Sequence, residues 1–569
     1  MMMVMNRSVM KRYISLILMV LPFLATAQNS RLNPTVQVTN DYQGKLKEME
    51  KASKPTVVPD SLYKFNLDFD YSGFENPYKG VDYFNPFHTD LQIQKRSFPY
   101  KKFYLKAGAG YTLRPELQAV WVFNPESRFK VSAYASHDSY FGPHNKMTVS
   151  DGRIVKDGQN SWNGYESKSL GGFSGRGDWE NVSLITFLQY DGIHAKDAFV
   201  SPAIRAFDTG SAEISVFSHS DSPWKYNVRA DYSYGNDRVK LSDSSPFAGG
   251  TEQNAVLSGG FGYSFGTSSI ELDVDVDGKF GTEPGRAGNL GVSYNGIGGV
   301  LSPHYHFSKD KLSMGVGLSV LFATGRNVNC GKNKVEFWPS VNLQWQAVKD
   351  KMDLYLDAGA SNSLYGRQDQ ASSSLFVLAD ADMSIVKKYN LDGGIRGHLF
   401  DKLTYDLCLG YEKNENLPVY AVERSALVGP DPAFLTCIVH RNINDGFASF
   451  RIKGNFTAWE FTAGVKYRYY MTVKENAITP PALTADAMVR YNILDRVSLW
   501  VGADYSSKYV SCDCQAPGFV NLQAGARFKF TSKLSFYIQG RNLLNQTMQF
   551  IPVYAQKGLS GTAGVVVNF

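Results

Sequence analysis

The string Asp273-Val274-Asp275-Val276-Asp277-Gly278 sets carboxylates at alternate positions before a glycine, the opening of a calcium-binding loop. Such a loop needs a carboxylate at its twelfth position, where this chain has Pro284, with Glu283 one residue short. The alternating valines also favour a strand. With Glu271, the acids then form a stripe on one side of that strand, opposite Ile270, Leu272, Val274 and Val276. His304 and His306 share a face at a spacing that permits common metal ligation, but the sequence supplies no third ligand. Cys512-Asp513-Cys514 offers a metal clip, a strained local bridge, or loop cysteines that pair with each other, with Cys330 or with Cys437. With five cysteines, at least one is left over. No H-E-x-x-H, G-x-S-x-G or phosphate-cradling glycine loop occurs. No catalytic residue, cofactor or resident metal is assigned, and the chain is not read as an enzyme.

A second group of charges is basic and C-terminal. Arg451, Lys453, Lys466, Arg468, Arg490, Arg527, Lys529 and Arg541 fall on the polar faces of their segments. Asp353, Asp357 and Asp406 join the acidic group from the middle of the chain. Acidic and basic walls facing each other across a lumen would set up a transverse field that orients polar solutes. The alternatives are mutual neutralisation or pairing with a segment lodged between the walls.

One repeated element must position all of these charges. From Lys101 to Phe569, stretches of roughly ten residues alternate apolar with polar. Val497, Leu499, Val501, Ala503 and Tyr505 share one face, against Ser498, Gly502 and Asp504. Val520, Leu522, Ala524, Ala526 and Phe528 oppose Asn521, Gln523, Arg527 and Lys529. One greasy and one wet face per strand fits an all-β transmembrane antiparallel barrel, apolar toward lipid and polar toward a lumen. The 14% aromatic content and 51 glycines agree, and beyond the N-terminus no apolar run is long enough for a spanning helix. The net charge of +6 says little about partners, and no nucleic acid is expected.

Short turns recur at Asn124–Ser127, Asp178–Asn181, Asp221–Pro223, Ser308–Lys311, Lys349–Lys351, Asp401–Lys402, Leu494–Arg496 and Thr531–Lys533. Between them lie longer polar connections at 139–162, 236–250, 280–296, 364–388, 414–444 and 544–559. Short periplasmic turns alternating with long extracellular loops are the asymmetry of outer-membrane barrels. Pairing strands across the turns, from Phe103–Tyr111 to a closing strand at Gly561–Phe569, gives about 22 strands. The terminal Phe569 on an amphipathic strand looks like the signal read by the bacterial barrel assembly machinery.

Three regions result: a signal peptide at 1–27, an aromatic-rich segment at 28–100, and the barrel at 101–569. Met10-Lys11-Arg12, the apolar run from Tyr13 to Leu24 and Ala25-Thr26-Ala27 form the export signal, which places the protein in the bacterial outer membrane. In the second region Tyr63, Phe65, Leu67, Phe69 and Tyr71 alternate with polar residues, and Phe74, Tyr78, Tyr83, Phe84 and Phe87 follow. That content argues for docking in the barrel mouth or on a periplasmic partner. A leader running along the wall to the first strand is equally open.

The stretch Gln539-Gly540-Arg541-Asn542-Leu543-Leu544-Asn545, followed by a loop and a closing strand ending in Phe569, resembles the N-L-F-N-type ending of TonB-dependent receptors. The resemblance implies a 22-strand barrel and transport of a polar solute or ligand across the outer membrane. Thr35, Val36, Val38 and Thr39 are similar to a TonB-box stretch, and TonB is then a partner. The chain departs from the family in having too few residues before the barrel for a full plug domain. The other reading is a scaffold barrel in an outer-membrane complex, its lumen occupied and its loops holding a surface lipoprotein.

Overall fold

The computed structural model describes residues 102–569, apart from 125–126, 198–200, 219–222, 239–249, 284–291, 330–333, 350, 374, 376, 378–382, 401, 426–432, 472–478, 495, 512–513 and 555–557. The signal peptide, the segment 28–100 and the TonB-box-like residues Thr35, Val36, Val38 and Thr39 lie outside the described residues.

All 25 strands among the described residues belong to one sheet. Three short ones (Val328–Asn329, Tyr509–Ser511 and Cys514–Ala516) lie outside the wall, which leaves a closed antiparallel barrel of 22 staves. The first stave, Phe103–Tyr111, pairs with the last, Ser560–Asn568, through Lys106 opposite Val566 and Gly108 opposite Gly564. Phe103 and Phe569 lock the seam by exchanging backbone hydrogen bonds at 2.7 and 3.0 Å, with their rings 5.1 Å apart. Every remaining stave pairs with its neighbour in sequence, the arrangement expected when each turn joins an adjacent pair.

The outer surface is what lipid requires. Ile270, Leu188, Leu409, Val501 and Ile538 stand exposed on the wall. Trp121, Phe123, Trp224, Tyr263, Trp345, Trp459, Phe530 and Phe569 form a girdle near the short turns. Tyr111, Phe337, Tyr469 and Met471 mark a second girdle at the long-loop end. From Trp459 to Tyr469 on one stave is about 25 Å of height after strand tilt, the thickness of an outer-membrane apolar band. Among the described residues no helix is long and apolar enough to cross a membrane; the strands do the crossing.

Stave lengths are uneven. Leu534–Arg541 has 8 residues, whereas Phe129–Ser150 and Arg153–Asp178 have 22 and 26. Leu403–Ser425 and Ala433–Asn455 have 23 each. Most of the connections expected at 139–162 and 414–444 is therefore strand, up to Ser150 and from Arg153 in the first, up to Ser425 and from Ala433 in the second: two hairpins that rise well beyond the membrane band, about half a circumference apart. In the second hairpin the register slips by one residue between Asn414 and Leu417, where Asn416 adopts a φ of 55°. Below this bulge the odd residues Leu407 and Leu409 face outward; above it the odd residues Leu417, Val419 and Ala421 are buried inward. A one-residue bulge reverses the phase of everything that follows it.

Candidate functional site: a roofed lumen

The acidic stripe occupies the face opposite the exposed Ile270 and Leu272. Glu271 accepts from His304 Nε2 at 3.0 Å and from Ser269 Oγ at 2.7 Å; Asp273 lies 3.7 Å from His304 Nδ1. Asp275 pairs in register with Val300 on the next stave. Asp277 accepts the Leu364 backbone N–H at 3.1 Å, and its Oδ1 is buried without a partner. His306 turns to Ser313 at 3.0 Å rather than toward His304's carboxylates. Among the described residues no group of three or more His, Cys, Asp or Glu is arranged to hold a metal ion.

The other charges meet nearby partners. Asp353 accepts from Gln344 at 2.8 Å, Asp357 from Asn342, and Asp406 from the Tyr355 hydroxyl at 2.9 Å. Five cations of the C-terminal staves have carboxylates beside them. Arg451 is 3.6 Å from Asp486, and Arg490 is 3.5 Å from Glu460. Arg468 bridges Glu412 at 3.1 Å and Asp445 at 2.6 Å, while Lys466 is 3.7 Å from Glu412. Arg541 reaches Glu116 and Asp138 at 3.9 and 4.0 Å. Arg527 donates to Ser535 at 3.4 Å, and Lys529 is exposed. Tyr537 and Gln539 also donate to Glu116. The tyrosine hydroxyl lies over Gly564, where a Cβ would strike it and the Ala107 carbonyl.

Cys408 is buried on its stave with Sγ 4.0 Å from Asp392. Cys437 and Cys514 sit in strands rather than loops, and Cys330 and Cys512 lie outside the described residues.

The long-loop end of the lumen holds what the sequence did not reveal. The connection after stave Met352–Tyr365 turns inward and forms a short helix, Arg367–Ser373, with Arg367, Gln370 and Ala371 buried. Glu252, fully buried on a distant stave, caps this helix. Its carboxylate accepts the Arg367 and Gln368 N–H groups at 2.5 and 3.1 Å and the Tyr294 hydroxyl at 2.8 Å. Gly366 is required there, since a side chain would collide with that carboxylate. Asp369 accepts from Lys279 at 2.6 Å, the residue that ends the acidic stripe in phase. Asp237 holds two guanidiniums, Arg367 at 2.5 Å and Arg205 at 3.0 Å, and Arg205 also donates to the Leu375 carbonyl. Buried charges are tolerated only when paired this way.

Past the helix, apolar residues continue the span. Leu375 and Ala371 join Ala195 and Phe207 from one wall to Leu417, Val419, Leu435 and Cys437 from the opposite one. Val377 meets Ile438 and Ile551. Ile551 belongs to the last connection, after stave Leu534–Arg541, which also folds inward. Asn542 and Asn545 both take left-handed φ values of 48° and 49°, and Asn542 clamps Gln546 at 2.8 and 2.9 Å. Beyond that clamp, Thr436 donates to the Pro552 carbonyl and Tyr554 to Glu166 at 2.8 Å. A further cluster joins Met147 and Ile154 of the first tall hairpin to Val422 of the second through Tyr509, Ala516 and Val553. Two inward loops and two tall hairpins thus form a roof across the mouth.

No protein-family model and no curated protein matches the chain. Solved structures share its fold. The FrpB iron transporter from Neisseria meningitidis superposes with a TM-score of 0.61 at 8% identity, over 83% of this chain and 81% of that one. The copper transporter OprC gives 0.59 at 12% identity, over 83% and 80%. The siderophore receptor PirA from Acinetobacter baumannii gives 0.58 at 9% identity, over 82% and 80%.

Proposed function

We propose that this chain is an outer-membrane transporter that admits a polar ligand at its long-loop end, with the roof as its gate. The observation that carries the reading is the roof itself: a closed barrel with a charged inner face, capped by its own loops. A wall this wide encloses water unless something fills it, and an unfilled one would leak. The fold shared with iron, copper and siderophore transporters supports the same reading. In it, Glu271, Asp273, Asp275 and Asp277, with Asp353 and Asp357, line the path below the roof. The basic residues from Arg451 to Arg541 carry the opposite sign, five of them beside carboxylates. Residues 28–100 fill part of the lumen or bind a periplasmic partner, TonB among them through 35–39. Phe569 serves the assembly machinery.

Conductance in planar bilayers tests the gate. Wild-type protein should be nearly silent. Replacing 366–382 by a short Gly-Ser link, with residues 28–100 also removed, should give large steady openings. A correctly folded barrel that stays silent after both deletions sinks the reading. Stoichiometric co-purification with a surface lipoprotein would then favour the scaffold role. Energy coupling through TonB requires that altering Val36–Thr39 abolish uptake; unchanged uptake removes TonB from the account.

A further inference from the structure

Above the roof, the tip of the first tall hairpin, Lys508, Gln515, Pro517 and Gly518, and Thr547 and Gln549 of the last connection line a cavity of about 510 Å³. This lies within the size range of small-ligand sites. Arg153, Lys156 and Lys508 line it, and all three are exposed at its rim. No Asp or Glu is among the lining residues, and the nearby Asp157 is taken up by Lys146 at 3.2 Å. Met147 and Ile154 supply an apolar floor. At the back stands Gln549, fully buried: its Oε1 accepts the Val553 N–H at 3.3 Å, while its Nε2 has no partner among the described residues.

The frame around the cavity is fastened. Gln515 N–H bonds the Gly152 carbonyl at 2.8 Å, Asn145 donates to Thr547 at 3.1 Å, and Tyr509 donates to the Gln549 carbonyl at 3.2 Å. These bonds join three connections that are far apart in sequence, so the cations surround a fixed floor.

We propose that this cavity captures an anionic ligand, a carboxylate- or phosphate-bearing group attached to a small body with an apolar edge. Three cations with no carboxylate among the described lining residues attract and hold such a group by charge-assisted hydrogen bonds, Arg153 in a planar fork and the lysines as point charges. The inference deepens the transporter reading by naming the class of ligand that would meet the roof first.

Titration calorimetry on the full-length protein in detergent, at low salt, with citrate and with inorganic phosphate as probes, tests it. Wild type should bind citrate saturably. Lys156→Gln combined with Lys508→Gln should weaken binding about tenfold or more, and added salt should weaken it further. Lys309→Gln, at the short-turn end, should leave it unchanged. Lipopolysaccharide that co-purifies with wild type but not with the double variant would identify a lipid phosphate as the source of the anion. Citrate binding to lipopolysaccharide-free protein would identify a soluble one. Equal binding of citrate, phosphate and lipopolysaccharide by wild type and a correctly folded double variant overturns the proposal. Intact citrate binding in a protein that fails the conductance test would uphold the site and sink only transport.

Discussion

Glu252 shows how far residue-scale chemistry outruns the sequence that encodes it. Its carboxylate caps a helix more than a hundred positions downstream and takes the Tyr294 hydroxyl as well. Alternation places the acids of 271–277 on one face because period two is local. It cannot say that Lys279 ends the stripe against Asp369, or that Arg451, Arg468 and Arg541 would each find a carboxylate, because pairing depends on register between staves. Asp237 between Arg205 and Arg367 is the sharpest test. Asp237→Ala leaves two guanidiniums buried and should loosen the roof by about 3–5 kcal/mol. Hydrogen exchange should quicken across 366–373 while the staves in the membrane band keep their protection. Unchanged exchange there would show that the apolar cluster alone holds the roof.

Among elements, the bulge near Asn416 does the most with the least. One extra residue turns Leu417, Val419 and Ala421 from the lipid-facing phase to the inward one, and so supplies three members of the apolar cluster. The stretches 139–162 and 414–444 read as loops from sequence because a phase reversal breaks simple alternation; the described residues on either side of the turn at 151–152 and of 426–432 are extended. Deleting Asn416 should restore the original phase and expose those side chains. Hydrogen exchange at 417–425 and 433–441 should rise sharply, with the barrel still heat-modifiable on gels. The Asn542-Leu543-Leu544-Asn545 motif was legible as a family-like ending, and its physical basis is two asparagines in left-handed geometry. Asn542→Ala loses that tolerance and two hydrogen bonds. A cost of about 1–3 kcal/mol to the last loop is expected, visible as protease cleavage within 544–559.

For the whole molecule, the count of 22 staves and the closing strand followed from hairpin spacing, since each turn joins neighbours and an even count closes the wall. The roof did not follow, because it consists of contacts between staves on opposite sides of the barrel. Removing Phe569 should cut the yield of assembled barrel severalfold without altering synthesis, measured by heat-modifiability in outer-membrane fractions; an equal yield would take the assembly role from it. The roof draws on Arg205, Asp237, Glu252 and Lys279 from early staves, residues 366–377 from the middle, and Thr436 with Pro552 near the end. Arg205 and Asp237 lie on neighbouring staves, but the contacts of Glu252 and Lys279 with 366–369 and of Thr436 with Pro552 need a wall already curled enough to bring distant parts together. We expect maturation to be ordered in time, with the wall closing before the roof is complete. In a pulse-chase, resistance to boiling detergent should come first, and resistance of 366–382 to protease should follow with a measurable lag.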